Sequence, residues 1–110
     1  MGRHTQTIDA NESVLIADIT KAVEKDRYFA TVSVYGTFDS GTVTMQYSPD
    51  GGTTKLDITN DAGTALTFTA NGGRNIELGF GDGQNPLKIY ATMTGATSPD
   101  VTAQIDDNVS

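Results

Sequence analysis

Cysteine and tryptophan are absent from the 110 residues, histidine occurs once and proline three times. Without cysteine there are no disulfides, no thiolate metal ligands and no cysteine nucleophile. The lone His4 has no second imidazole with which to build a zinc site. It lies beside Arg3 in a polar stretch, a solvated position and a poor one for a catalytic triad. Cations are also scarce: 7 Lys and Arg stand against 14 Asp and Glu, a net charge of −7. Nucleic-acid binding relies on a basic stripe that displaces phosphate counterions, and seven scattered cations do not form one. The acidic balance suits solubility and partners that are basic or neutral. No apolar run has the make-up of a signal peptide or the length of a membrane span. Leu, Ile, Val and Phe supply only 23 residues, so the core is small, and oligomerisation is a common supplement to such a core.

What the chain has is threonine, 17 residues, and glycine, 12. Branched Thr suits the pleated surface of a strand, and Gly suits tight turns. Alternation with period two recurs along the chain. It sets Tyr28, Ala30, Val32, Val34 and Gly36 against Phe29, Thr31, Ser33 and Tyr35. It continues in Val43, Met45 and Tyr47; in Ile76, Leu78 and Phe80; in Leu87, Ile89, Ala91 and Met93; and in Val101, Ala103 and Ile105. Shorter candidate strands are 14–17, 54–58 and 65–69, with Gly-, Asn-, Asp- and Pro-rich turns between the runs. The pattern predicts an all-β fold, an antiparallel β-sandwich of about eight short strands, with a jelly roll as one form of it. Residues 12–110 are expected to make one domain, and residues 1–11, which lack periodicity, a flexible N-terminal arm. Ile19, Ala22 and Val23 carry the one helix-like spacing, readable as a helical turn or an irregular crossover.

The sharpest local pattern is Ser48-Pro49-Asp50-Gly51-Gly52-Thr53-Thr54-Lys55. Pro49 presets one corner of a turn, Asp50 can accept backbone N–H groups, and the glycines tolerate left-handed angles. Ser48, Asp50, Gly52 and Thr54 resemble the Asp-box of sialidases and related β-propellers, where the box is a folding device; Lys55 replaces its aromatic residue. One copy builds no propeller, which repeats blades of roughly 40 residues, so these four residues read as a structural turn. Asp50, Asp57, Asp61 and Asp82 lack the close alternating spacing of a calcium loop, and no metal or other cofactor is expected. Asp39, Asp50, Asp57 and Glu77 qualify as glycosidase carboxylates by residue type alone, so the chain reads as a non-enzyme. Tyr28, Phe29, Tyr35, Phe38, Tyr47 and Tyr90 leave three roles open: a second buried layer, an oligomer contact, or a platform for a sugar ring.

The stretch from Val34 to Thr54, with its Gly36-Thr37-Phe38-Asp39-Ser40-Gly41 hairpin followed by a strand and Ser48-Pro49-Asp50-Gly51-Gly52-Thr53, resembles small virion proteins of tailed bacteriophages. The later Ala70-Asn71-Gly72 turn, the Ile76-Glu77-Leu78 strand and the run from Ile89 to Thr97 extend the resemblance, which covers about residues 28–105. It departs at Lys88, where such proteins often carry Arg, and in the missing aromatic after Thr54. The resemblance implies a capsid decoration, or cement, protein on the virion surface, made in the host cytoplasm. Such a protein is a homo-oligomer, typically a trimer, bridging subunits of the major capsid protein. Phe29, Tyr35, Tyr90, His4 and Arg3 are the expected interface residues, with no role for nucleic acid or membrane. The competing expectation is a receptor- or glycan-binding module of a tail fibre or tail tip; a hydrolase ranks third.

Overall fold

The computed structural model describes residues 2–19, 27–48, 53–59, 64–79 and 87–107. These form nine strands: β1 (Gly2–Ile8), β2 (Ser13–Ile19), β3 (Arg27–Thr37), β4 (Thr42–Ser48), β5 (Leu56–Asp57), β6 (Thr67–Phe68), β7 (Gly72–Gly79), β8 (Leu87–Thr94) and β9 (Asp100–Asp107). One sheet has the order β1-β9-β3-β7; the other runs β2-β8-β4-β5, with β6 also on β4. All pairings are antiparallel. The chain pairs with itself from its ends inward: Gly2 with Asp107, Ser13 with Thr92, Arg27 with Gly79, Val43 with Phe68. This long hairpin is then rolled, so that β3 lies against β9 and β4 against β8. That strand order is a jelly roll, a double-layered antiparallel sandwich.

Where their side chains are described, the period-two runs face inward, apart from the exposed Gly36; the side chains of Tyr28, Leu78, Phe80 and Leu87 lie outside the described residues. Ala30, Val32 and Val34 of β3, Val43 and Met45 of β4, Ile76 of β7, Ile89, Ala91 and Met93 of β8, and Val101, Ala103 and Ile105 of β9 are all buried. Alternation works here because successive strand side chains point to opposite faces and only the inner face is dry. Two aromatics considered for the surface, Phe38 and Tyr47, belong to this interior: Phe38 is buried and Tyr47 packs against the core. At Met45 the ladder branches. Its N–H donates to the Leu66 carbonyl (3.0 Å) and its carbonyl accepts from the Ile58 N–H (2.9 Å), which seats β5 and β6 on one strand. In β2 the register slips between Leu15 and Ala17. This bulge turns both Ile16 and Ala17 inward and leaves Leu15 outside. The helix-like spacing at 18–25 begins in strand, since Asp18 and Ile19 end β2; its remainder lies outside the described residues.

The expected N-terminal arm at 1–11 is corrected over most of its length. Residues 2–8 are strand β1, in register with β9 throughout, which makes nine strands among the described residues where about eight were expected. No hydrophobic alternation announces β1, an edge strand with a single large apolar residue, Ile8. Of its described side chains only Ile8 is fully buried, so its place rests mainly on main-chain hydrogen bonds.

The Asp39-Ser40-Gly41 turn forms as expected, but the demanding backbone falls elsewhere than on glycine. Asp39 and Ser40 carry φ of 49° and 70°, and the Gly41 N–H donates to the Phe38 carbonyl at 2.8 Å. Positive φ at both central positions marks a type I′ turn. Gly41 is required for space: a Cβ there would lie 2.6 Å from both Ala96 Cβ and Met93 Sδ. Ser40→Gly should therefore raise stability by roughly 0.5–1 kcal/mol, because it removes left-handed strain. Gly41→Ala should lower it by about 1–3 kcal/mol through overpacking. Urea unfolding of both variants checks the opposite signs.

Candidate interaction surfaces

Outward residues of the β1-β9-β3-β7 sheet are mostly Thr, Ser, Asn and Gln, and side-chain hydrogen bonds join them across the strands. Arg3 Nε donates to Asp106 Oδ1 at 2.7 Å, linking β1 to β9. Gln104 Nε2 donates to Asp106 Oδ2 at 3.0 Å, and the Tyr35 hydroxyl donates to Gln104 Oε1 at 3.4 Å, which carries the chain on to β3. Thr31 Oγ1 donates to Asn75 Oδ1 at 2.8 Å, reaching β7. Tyr35 stands 43% exposed on this face.

The other sheet is laced in the same way. The Thr92 hydroxyl bridges Ser13 Oγ (3.1 Å) and Gln46 Oε1 (2.8 Å), and Gln46 Nε2 donates to Asp57 Oδ1 at 2.9 Å. The chain Ser13–Thr92–Gln46–Asp57 thus crosses β2, β8, β4 and β5. One step along, Leu15 lies opposite Tyr90, and Lys55 Nζ sits 4.5 Å from the centre of the Tyr90 ring, within the range of a cation–π contact. Among the described residues, Leu15 and Leu56 are the exposed large aliphatic ones, at 36% and 43%.

The expected interface residues are therefore not one patch. Arg3 and Tyr35 share a face and a hydrogen-bonded chain. Tyr90 lies on the opposite sheet, half-buried and covered in part by Lys55. His4, opposite Ile105, belongs to the inward rows of β1. Phe29 pairs with Glu77 through its backbone, and its side chain lies outside the described residues. Ser48 is buried at the end of β4 and Thr54 is exposed before β5. Asp50 and Gly52 lie outside the described residues. Gln104, Asp106 and Leu15 were not singled out from sequence, and Lys55 only as the departure from the Asp-box pattern. The run ending at Ile105 gave no hint of Asp106, and Leu15 is displaced from the core by a bulge that alternation does not predict.

Asp57 is held by Gln46, and Asp39 by another part of the chain: its Oδ2 accepts from the Ser98 N–H at 2.7 Å. Asn11 is tied likewise, since its side-chain amide donates to the Ala96 carbonyl and accepts the Ala96 N–H, both at 2.9 Å. These contacts bind the β1–β2, β3–β4 and β8–β9 connections together at one end of the sandwich. Among the described residues, no three His, Asp or Glu side chains gather as a metal site.

The class that fold and surface define is a jelly-roll sandwich with two polar, self-laced outer faces. The chain matches no protein family, no curated protein and no solved structure in the three comparisons made.

Hydrogen bonds from Arg3 and Gln104 hold Asp106 below the ordinary carboxylate range, and its hydrogen bond to Arg3 raises the guanidinium in turn. A lowered folded pKa means that the contact contributes above the unfolded value of about 3.9 and is lost as pH falls through the folded value. NMR titration of the Asp106 carboxyl should give a midpoint below 3.9, moving up toward it in Arg3→Ala.

Proposed function

We propose that the chain is a capsid decoration protein of a tailed bacteriophage. It is a non-catalytic homotrimer on the virion surface that bridges major capsid protein subunits and stabilises the shell. The observation that carries this reading is the construction of the two outer faces. Several of their polar side chains hydrogen-bond to one another across the strands, which fixes rotamers on each face, while Tyr35 on one face and Leu15 on the other stand exposed for contact. A stiff sandwich with a contact group on each broad side can touch two neighbours at once, and many modest contacts across a lattice sum by multivalency. The resemblance over residues 28–105 supplies the virion context. Asp39 and Asp57, two of the carboxylates named by residue type for hydrolysis, accept hydrogen bonds from the Ser98 N–H and the Gln46 amide.

A second reading, a receptor- or glycan-binding module of a tail fibre or tail tip, is favoured by one feature. The exposed Tyr35 ring lies beside the Gln104 amide and the paired Arg3 and Asp106, a stacking face next to groups that hydrogen-bond sugar hydroxyls.

On the leading reading, the purified protein runs as a trimer on sizing. It co-sediments with expanded heads of the phage that encodes it and leaves unexpanded procapsids bare, and Tyr35→Ala weakens that binding. A monomer that stays at the top of the gradient, together with saturable glycan-array binding lost in Tyr35→Ala and kept in Tyr90→Ala, would replace it with the second reading.

A further inference from the structure

We propose that β1 is an exchangeable strand, able to leave its own β9 and occupy the same seat on the β9 of a second copy of this chain. The seat is defined residue by residue: seven register pairs from Gly2–Asp107 to Ile8–Val101. Its floor is the inward row Val101, Ala103 and Ile105 of β9, all fully buried. That row is strongly apolar, so an empty seat is costly and some strand must fill it. The strand that fills it brings little apolar side chain to the seat. Against those three residues β1 sets Ile8, Gln6 and His4, and of these Ile8 alone is fully buried. One ion pair, Arg3–Asp106, joins its outer side to β9, and the Arg3 side chain is 71% exposed.

The attachment of β1 to the rest of the molecule is short. Beyond Ile8 the chain is held again at Asn11, bonded twice to Ala96, and at Glu12, whose carbonyl accepts the Met93 N–H at 2.9 Å. Only Asp9 and Ala10, both exposed, lie between strand and anchor. A second copy offers an identical seat, so closed and exchanged forms differ mainly in this two-residue hinge and in the effective concentration of the neighbouring copy. Short hinges bias such pairs toward exchange, and longer ones toward closure. The proposal concerns copies of this chain alone and is read without any capsid, so its failure and that of the decoration reading are distinguishable.

The absence of native cysteine makes the test clean. Thr7 and Thr102 are directly opposed on the outward face. Chains carrying Thr7→Cys alone and Thr102→Cys alone are mixed, incubated and oxidised. A disulfide-linked heterodimer, at least tenfold above a control mixing Thr7→Cys with Thr44→Cys, is expected. The double variant should close within one chain when dilute and between chains when concentrated. A mixture no better than its control, or a double variant that never closes between chains at any concentration, overturns the proposal. A second variant tests it without cysteine. Deleting Asp9 and Ala10 should turn the exchanged form into the main species on sizing, and inserting four glycines after Asp9 should suppress it. A deletion variant that melts cooperatively and sizes no differently from the parent is the other overturning result.

Discussion

The structure depends on β9 being paired on both sides. β9 takes β1 along one edge and β3 along the other, and so joins the two ends of the chain to its middle. Every backbone group in a buried strand needs a partner, and here the partner on one side comes from the least hydrophobic strand of the sandwich. Once β9 is seated, Val101, Ala103 and Ile105 form a dry floor on which Val32 and Val34 are set directly alongside. The equivalent role in the second sheet falls to β8, between β2 and β4.

Rolling one long hairpin explains why so modest a stock of large apolar residues suffices. The inward rows of the inner strands β3, β4, β8 and β9 each lie between two neighbours, and the sheets close on each other with Met45, Ile89 and Met93 fully or almost fully buried between them. The outer faces are held by another means, hydrogen-bonded side-chain chains that run across three and four strands. Such surface bonds are individually worth little. Their effect is to fix rotamers and leave a few residues, Tyr35 and Leu15 among them, as the features a partner would meet. The close approach of Gly36 to Asp100, where a Cβ would lie 2.4 Å from the carbonyl oxygen, shows how closely the end of β3 packs beside the start of β9.

Much of this was legible in the residues. The inward sets of β3, β4, β8 and β9 follow from alternation alone, because a half-buried strand exposes its period directly. What alternation misses are strands and residues placed by something other than a dry face. β1 is polar apart from Ile8 and is placed mainly by its backbone. The bulge at Ile16 shifts β2 out of phase, so Leu15 became visible only once pairing with Tyr90 was known. The surface was read less well than the core. The aromatics were grouped by residue type, whereas the fold sends Phe38 and Tyr47 inward and puts Tyr35 and Tyr90 on opposite sheets. Asp106 acquires its role from Arg3, 103 positions away in sequence, a separation no local pattern carries.

Residue-resolved hydrogen exchange along β9 tests the central claim most directly. Successive amides of a strand point to opposite edges, so one set in 100–107 faces β1 and the other faces β3. If β1 is seated, both sets are slow and comparably protected. If alternate amides of β9 exchange freely while the intervening ones stay slow, the first strand is not paired there, and the rolled hairpin described here is wrong at its outermost turn.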